Sequence, residues 1–135
     1  MNKKREKIIT TTLEKKYAQQ IEKYKNKNIK VGKNSKKIWF MRWNGIENEH
    51  PVIKKCFKSI EKNCGEYEVI LITKNNYLKY CDLPPELIKR VEENIVSLTH
   101  LSEIVRTQLL SKYGGVWVDS TMFICDNIFN EFDEE

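Results

Sequence analysis

Glu103, Arg106 and Asp119 are the charged residues of this 135-residue chain whose types and spacing could do chemistry. Glu103 and Arg106 stand three apart in a segment of helical apolar period, so they share a helix face that differs from the Ile104, Val105 and Leu109 stripe. Asp119 closes the apolar run Val116-Trp117-Val118. An arginine offers a planar fork to hydroxyls or phosphates, and a carboxylate holds sugar or ribose hydroxyls. The turn Tyr113-Gly114-Gly115 carries the chain from that helix straight into the run bearing Asp119. All three charges are therefore expected near one strand end, in a pocket suited to a polyol phosphate. An aspartate after a strand is by itself first a turn or capping residue. A surface pair at this spacing contributes only about 0.2–0.5 kcal/mol, so the chemical reading depends on convergence. Trp43 and Gly45 are a second candidate group: an aromatic beside a glycine turn can stack on a base, although core packing of Trp43 is an equal reading. Trp39 is assigned to the core.

The elements that must position these residues follow from the apolar pattern. Ile38-Trp39-Phe40-Met41 is a continuous apolar run ending at Asn44-Gly45, as a strand buried on both faces requires. Pro51 opens a helical pattern through Val52, Ile53, Cys56, Phe57 and Ile60 that stops at Asn63-Cys64-Gly65. Residues 67–73 read as a second buried strand, which makes a βαβ unit with parallel strands. A short helix over 75–80, another from Pro84-Pro85 to about Asn94, and a longer one from Thr99 or His100 to Tyr113 follow. The last has Leu101, Ile104, Val105, Leu109 and Leu110 as core candidates and ends at Gly114-Gly115. Residues 116–118 form a third buried strand, so Asp119 stands at a carboxyl end, where open α/β sheets bind ligands.

Charge divides the chain. Residues 1–37 hold 13 basic side chains against 3 acidic ones, a net of +10, whereas the other 98 residues hold 11 against 16, a net of −5. Ile9, Leu13, Tyr17, Ile21 and Tyr24 give residues 6–24 one apolar helix face, and residues 26–35 break that period. The expected organisation is a basic amphipathic arm with its linker over 1–35 and an α/β unit over 36–135. A nucleic-acid reader interleaves its arginines with aromatics or glycines, whereas the basic residues of this arm are almost purely lysine, which argues for a solvated face. No run of about 18 apolar residues occurs, and the N-terminal residues lack the apolar stretch of a secretory signal. Cys56, Cys64, Cys81 and Cys125 form no C-x-x-C pair, so they are read as reduced, packed thiols of a cytoplasmic protein.

The residues carry a resemblance. Lys37 to Gly45, Pro51 with Cys56 and Ser59, the 68–72 strand with Asn75 or Asn76, the block Ser102-Glu103-Ile104-Val105-Arg106, and Tyr113-Gly114-Gly115-Val116-Trp117-Val118-Asp119-Ser120-Thr121 resemble the N-terminal half of the capsular polysaccharide synthesis glycosyltransferases. These are relatives of the α-mannosyltransferases and clostridial toxin glucosyltransferases that carry a DXD motif. The likeness runs from about Lys36 to Cys125, and its specific part is S-[DE]-x-x-R followed by Y-G-G-x-[WY]-x-D. It implies a GT-A, Rossmann-like domain that binds a nucleotide-diphosphate sugar and acts on a glycan or lipid-linked acceptor with a retaining outcome. It implies donor contacts from Trp43, Gly45, Glu103, Arg106 and Asp119. Mn²⁺ or Mg²⁺ held by Asp119, with Thr121 as a poor second ligand, would neutralise the leaving diphosphate. It leaves the catalytic residue unassigned and places the protein in the cytoplasm, at the inner face of the cell membrane.

Two departures bear on this. Thr121 stands where two-acid relatives have a second carboxylate, and a neutral hydroxyl binds hard cations less well. Glu103 stands where aspartate is usual and is one methylene longer. The resemblance also leads to the expectation that the chain is truncated, because 14 residues follow Thr121. The rival expectation is a non-catalytic nucleotide-binding or interaction module whose basic helix docks on an acidic partner or a membrane surface.

Overall fold

The computed structural model describes residues 3–25 and 35–133. It divides into two compact units, Met1–Lys30 and Val31–Glu135. The first contains α1 (Lys3–Lys25), on which Ile8, Ile9, Leu13 and Tyr17 are exposed. The Thr11 and Thr12 hydroxyls donate to the carbonyls of Lys7 and Ile8, one turn back. The side chains of Ile21 and Tyr24 and the expected linker over 26–34 lie outside the described residues.

In the second unit, β1 (Lys37–Met41) is followed by α2 (Pro51–Asn63) and β2 (Glu68–Ile72), the strand–helix–strand succession of the apolar pattern. Three helices come next, α3 (Tyr77–Tyr80), α4 (Pro85–Glu92) and α5 (Leu98–Tyr113), then β3 (Val116–Trp117) and a 3-10 helix over Phe129–Asp133. The sheet has the order β2-β1-β3 and all its strands are parallel. Trp39 pairs with Ile70 on one side and Trp117 on the other.

The central strand explains why Ile38-Trp39-Phe40 is continuously apolar. Trp39 faces α3, α4 and α5 in a cluster with Ile72, Tyr77, Val91, Leu101, Val105 and Leu109. Ile38 and Phe40 face the opposite layer, with Ile60 of α2, Tyr67, Val118, Ile124 and Phe129. The sheet is thus covered on both faces. Leu101, Val105 and Leu109, spaced by four, form the fully buried stripe of α5, and truncating such a leucine to alanine costs about 2–5 kcal/mol. Ile104 and Leu110, expected in the core, pack at its edge.

Local chemistry sets the ends of these elements. The His50 ring accepts from the Val52 amide, with Pro51 at the first position of α2, and the Ser97 hydroxyl accepts from the His100 amide to start α5 at Leu98. The helix expected over 75–80 is shorter because Asn76 serves the preceding turn. Its Oδ1 accepts from the Thr73 amide at 2.7 Å and its Nδ2 donates to the Leu71 carbonyl at 2.9 Å, closing the end of β2. Gly115, at φ +86°, passes so close to β1 that a Cβ there would lie 2.4 Å from the Lys37 carbonyl oxygen. Trp39 Nε1 reinforces the same junction by donating to the Gly114 carbonyl at 2.9 Å.

Candidate functional site

The succession of elements makes a crevice at one end of the sheet. The chain leaves β1 through α2 on one face to β2, then returns through α3, α4 and α5 on the other face to β3, on the far side of β1. Loops at the carboxyl ends of β1 and β3 therefore diverge, and in open α/β sheets ligands bind at such a switch point. A cleft of about 320 Å³ opens there. Its walls are Met41, Arg42, Trp43, Asn44 and Glu49 after β1, Leu98, Thr99 and Ser102 from the first turn of α5, and Trp117, Val118, Asp119 and Ser120 at the end of β3.

Backbone bonds fix the floor. The Arg42 amide donates to the Ile72 carbonyl at 2.9 Å, and the Lys74 amide donates to the Trp43 carbonyl at 3.0 Å, so the loop after β1 is tied to the end of β2. The Gly45 amide donates to the Arg42 carbonyl at 3.0 Å, and φ +83° at Gly45 closes this turn. Gly45 itself does not line the cleft.

Trp43 joins the two roles that its sequence position left open. Its ring packs 5.1 Å from that of Tyr77, at 56°, and it also lines the cleft. Asp119 is exposed at the end of β3, where its Oδ1 accepts from Trp117 Nε1 at 3.0 Å. Among the described residues Asp119 has no ion-pair partner. Trp43 and Asp119 thus line the same cleft.

The Glu103–Arg106 pair does not join them. The two side chains form an ion pair on α5, and neither lines the cleft. Glu103 instead borders a separate shallow depression with Ile104, Thr107 and Gln108. The reason is helical geometry: α5 meets the cleft through its first turn, and Arg106 lies one turn beyond Ser102 on the Thr99–Ser102 face, while Glu103 is rotated about 100° from Ser102. The expectation of three charges at one strand end is corrected to Asp119 alone, with Arg106 farther along the same helix face.

The cation of the cleft is Arg42, which the sequence reading passed over. Its Nε and Nη2 bond Glu49 Oε1 and Oε2 at 2.8 and 2.6 Å, a bidentate fork, and its Nη1 reaches Ser120 Oγ at 3.4 Å. The signal available was position, since Arg42 ends the β1 run beside Trp43. With Arg42 neutralised by Glu49, Asp119 is left as the uncompensated charge of the lining. Thr121 is exposed and lies outside the lining, where Ser120 is found instead.

Tyr77, whose ionisation is shifted, lies behind Trp43. Burial, then the Glu92 and Cys81 charges, raises its pKa above the ordinary value. Burial also pushes the Cys81 thiol up to about 11, against a smaller opposing effect of Lys112, so this cysteine is a neutral packing group at neutral pH. All four cysteines are free. Among the described residues, no group of three His, Cys, Asp or Glu is placed to hold a metal ion. No described helix is long and apolar enough to cross a membrane.

A family model described as capsular polysaccharide synthesis protein matches residues 1–135. The chain belongs to this family. A capsular polysaccharide synthesis protein has a role in making the capsule. No curated protein and no solved structure matches the chain.

Proposed function

We propose that this capsular polysaccharide synthesis protein is a glycosyltransferase of GT-A, Rossmann-like type whose cleft binds a nucleotide-diphosphate sugar. The observation that carries the reading is the meeting of Trp43, Arg42 and Asp119 at the carboxyl ends of β1 and β3, one aromatic face, one guanidinium fork and one carboxylate around about 320 Å³. Trp43 stacks on the base. The edge of Arg42 turned to Ser120 receives a phosphate oxygen, and Asp119 takes ribose hydroxyls or a cation. The sugar then extends along the Thr99–Ser102 face of α5 towards Arg106, with Glu103 orienting that arginine through their ion pair.

A divalent cation fits this donor set. A diphosphate entering a lining whose uncompensated charge is Asp119 meets repulsion, and Mg²⁺ is commonly held by one or two carboxylates together with substrate phosphates. Asp119 would supply the protein ligand, and Mn²⁺ or Mg²⁺ bound there supplies charge neutralisation of the leaving diphosphate. The acceptor is a glycan or lipid-linked glycan, and the reaction takes place in the cytoplasm at the inner face of the cell membrane.

Calorimetry with uridine, guanosine and cytidine diphosphate sugars tests the reading, with at least one donor expected to bind. Arg106→Lys is expected to weaken the nucleotide sugar several-fold while leaving the matching nucleoside diphosphate within about twofold, because a point charge does not reproduce a fork at the sugar end. Silence across the whole panel from a folded sample overturns it.

A further inference from the structure

On the α2 side of the sheet, away from the cleft, a second groove of about 460 Å³ runs between α2 and the segment that follows β3. Lys55, Lys58 and Lys62 form its rail, and Phe123, Ile124 and Cys125 form its other side. The three lysines are spaced i, i+3, i+7, so they share one helix face. None is in an ion pair among the described residues, and Glu61, the acidic residue of α2, does not line the groove.

The apolar side is held in place by named bonds. Ser59 Oγ accepts from the Ile124 amide at 3.0 Å, and Asn63 Nδ2 donates to the Ile124 carbonyl at 2.7 Å. These bonds seat Ile124 in the core, while its two neighbours are exposed, Phe123 at 60% and Cys125 beside it, and Met122, one residue earlier, is exposed as well. Phe123, with exposed Met122 next to it, is an apolar patch beside three lysines that have no ion-pair partner among the described residues, the kind of surface that marks an interaction site. An anionic bilayer uses both, since headgroup phosphates meet the ammonium groups while the ring enters the interface and the lysine stems lie along apolar surface.

We infer that the Lys55–Lys58–Lys62 face and Phe123 form a docking surface for an anionic phospholipid bilayer. This surface does not depend on what the cleft binds. Each lysine near a charged bilayer strengthens binding roughly fivefold, so the three together account for on the order of a hundredfold.

Co-sedimentation of the full chain with vesicles tests it, using phosphatidylcholine alone against an equimolar mixture with phosphatidylglycerol. The parent is expected to bind the mixed vesicles, to ignore the neutral ones, and to be released by salt. Lys55→Gln/Lys58→Gln/Lys62→Gln should weaken that binding by ~100-fold, and Phe123→Ser should weaken it severalfold at unchanged charge. Because residues 1–37 are also strongly basic, Lys4→Gln/Lys7→Gln/Lys16→Gln is the control of equal charge loss, with a smaller effect expected. Circular dichroism melting curves must match the parent's for each variant. The proposal is overturned if the parent ignores mixed vesicles, or if the groove variant loses no more than the control. Undiminished binding by Phe123→Ser also overturns it, since the ring then plays no part in the surface.

Discussion

Arg42 grips both carboxylate oxygens of Glu49 and turns its remaining edge to Ser120, so one side chain links the loop after β1 to the loop after β3. The ion pair fixes the guanidinium at the cleft and also offsets the charge a diphosphate would seek. Arg42→Gln should weaken nucleoside diphosphate binding by about tenfold or more, as expected for loss of a charge-assisted hydrogen bond. Glu49→Gln should strengthen it, because the fork is then uncompensated. Calorimetry on both variants checks the pair, and equal affinity of both with the parent would remove Arg42 from the site.

The junction between Gly115 and Lys37 gives a test of the scaffold. Gly115→Ala requires a Cβ in a backbone conformation that alanine rarely adopts, 2.4 Å from a carbonyl oxygen of the central strand. Such strain costs on the order of 1–3 kcal/mol before any steric shift, so the melting temperature should fall by several degrees. An unchanged melting curve would mean that Gly115 does not approach the Lys37 carbonyl of β1 this closely.

That junction also shows what the sequence made legible. Three strands, the helices between them and the glycine stop after Tyr113 follow from local pattern, because β1 is covered on both faces and α5 buries one stripe. β2 and β3, expected to be buried too, are the edge strands and are only partly so. The 3-10 helix at Phe129 carried no periodic signal, since a single turn has too few residues to show one. The site was only partly legible. Trp43 and Asp119 sit at strand ends, which a strand assignment locates directly. Whether Glu103 and Arg106 reach the same cleft depends on where along α5 the strand ends fall, a tertiary distance that spacing does not encode. Arg42 was obscured by its partner, because a fork seven residues away in Glu49 forms only once the Gly45 turn is closed.

Cys81 ties stability to pH. Its thiol titrates at about 11 in the folded chain against an ordinary value of 9.0, with burial as the main cause. A raised pKa contributes stability that is fully present below pH 9 and is lost as pH rises towards 11, because the unfolded state gives up the proton first. The difference corresponds to on the order of 2–3 kcal/mol. Urea midpoints should therefore fall between these pH values, and Cys81→Ala, although less stable at neutral pH, should fall less steeply. Tyr77, also raised by burial, adds loss in the same direction above its ordinary value of 10.0. A parallel decline in parent and variant would assign the pH dependence to other groups.

If donor binding depends on a metal ion, Asp119 is the residue expected to carry that dependence. Its carboxylate stands at the cleft with one oxygen bonded to the Trp117 indole and no cationic partner among the described residues, so it is the protein ligand to which a diphosphate-bound cation would come. Hard cations bind more tightly as ligand charge increases, and Thr121, two residues on, contributes a hydroxyl and no charge. Asp119→Asn should abolish Mn²⁺-stimulated donor binding, whereas Thr121→Asp should tighten it. Thr121 is exposed outside the lining, so the gain requires the turn closed by the Met122 amide and Asp119 carbonyl to swing the new carboxylate inward. Titration of donor with and without Mn²⁺, after circular dichroism has shown each variant to be folded, separates the cases. Should folded Asp119→Asn bind donor and Mn²⁺ as the parent does, Asp119 is a partner of Trp117 in the turn after β3, and the cation, if required, is held by substrate alone.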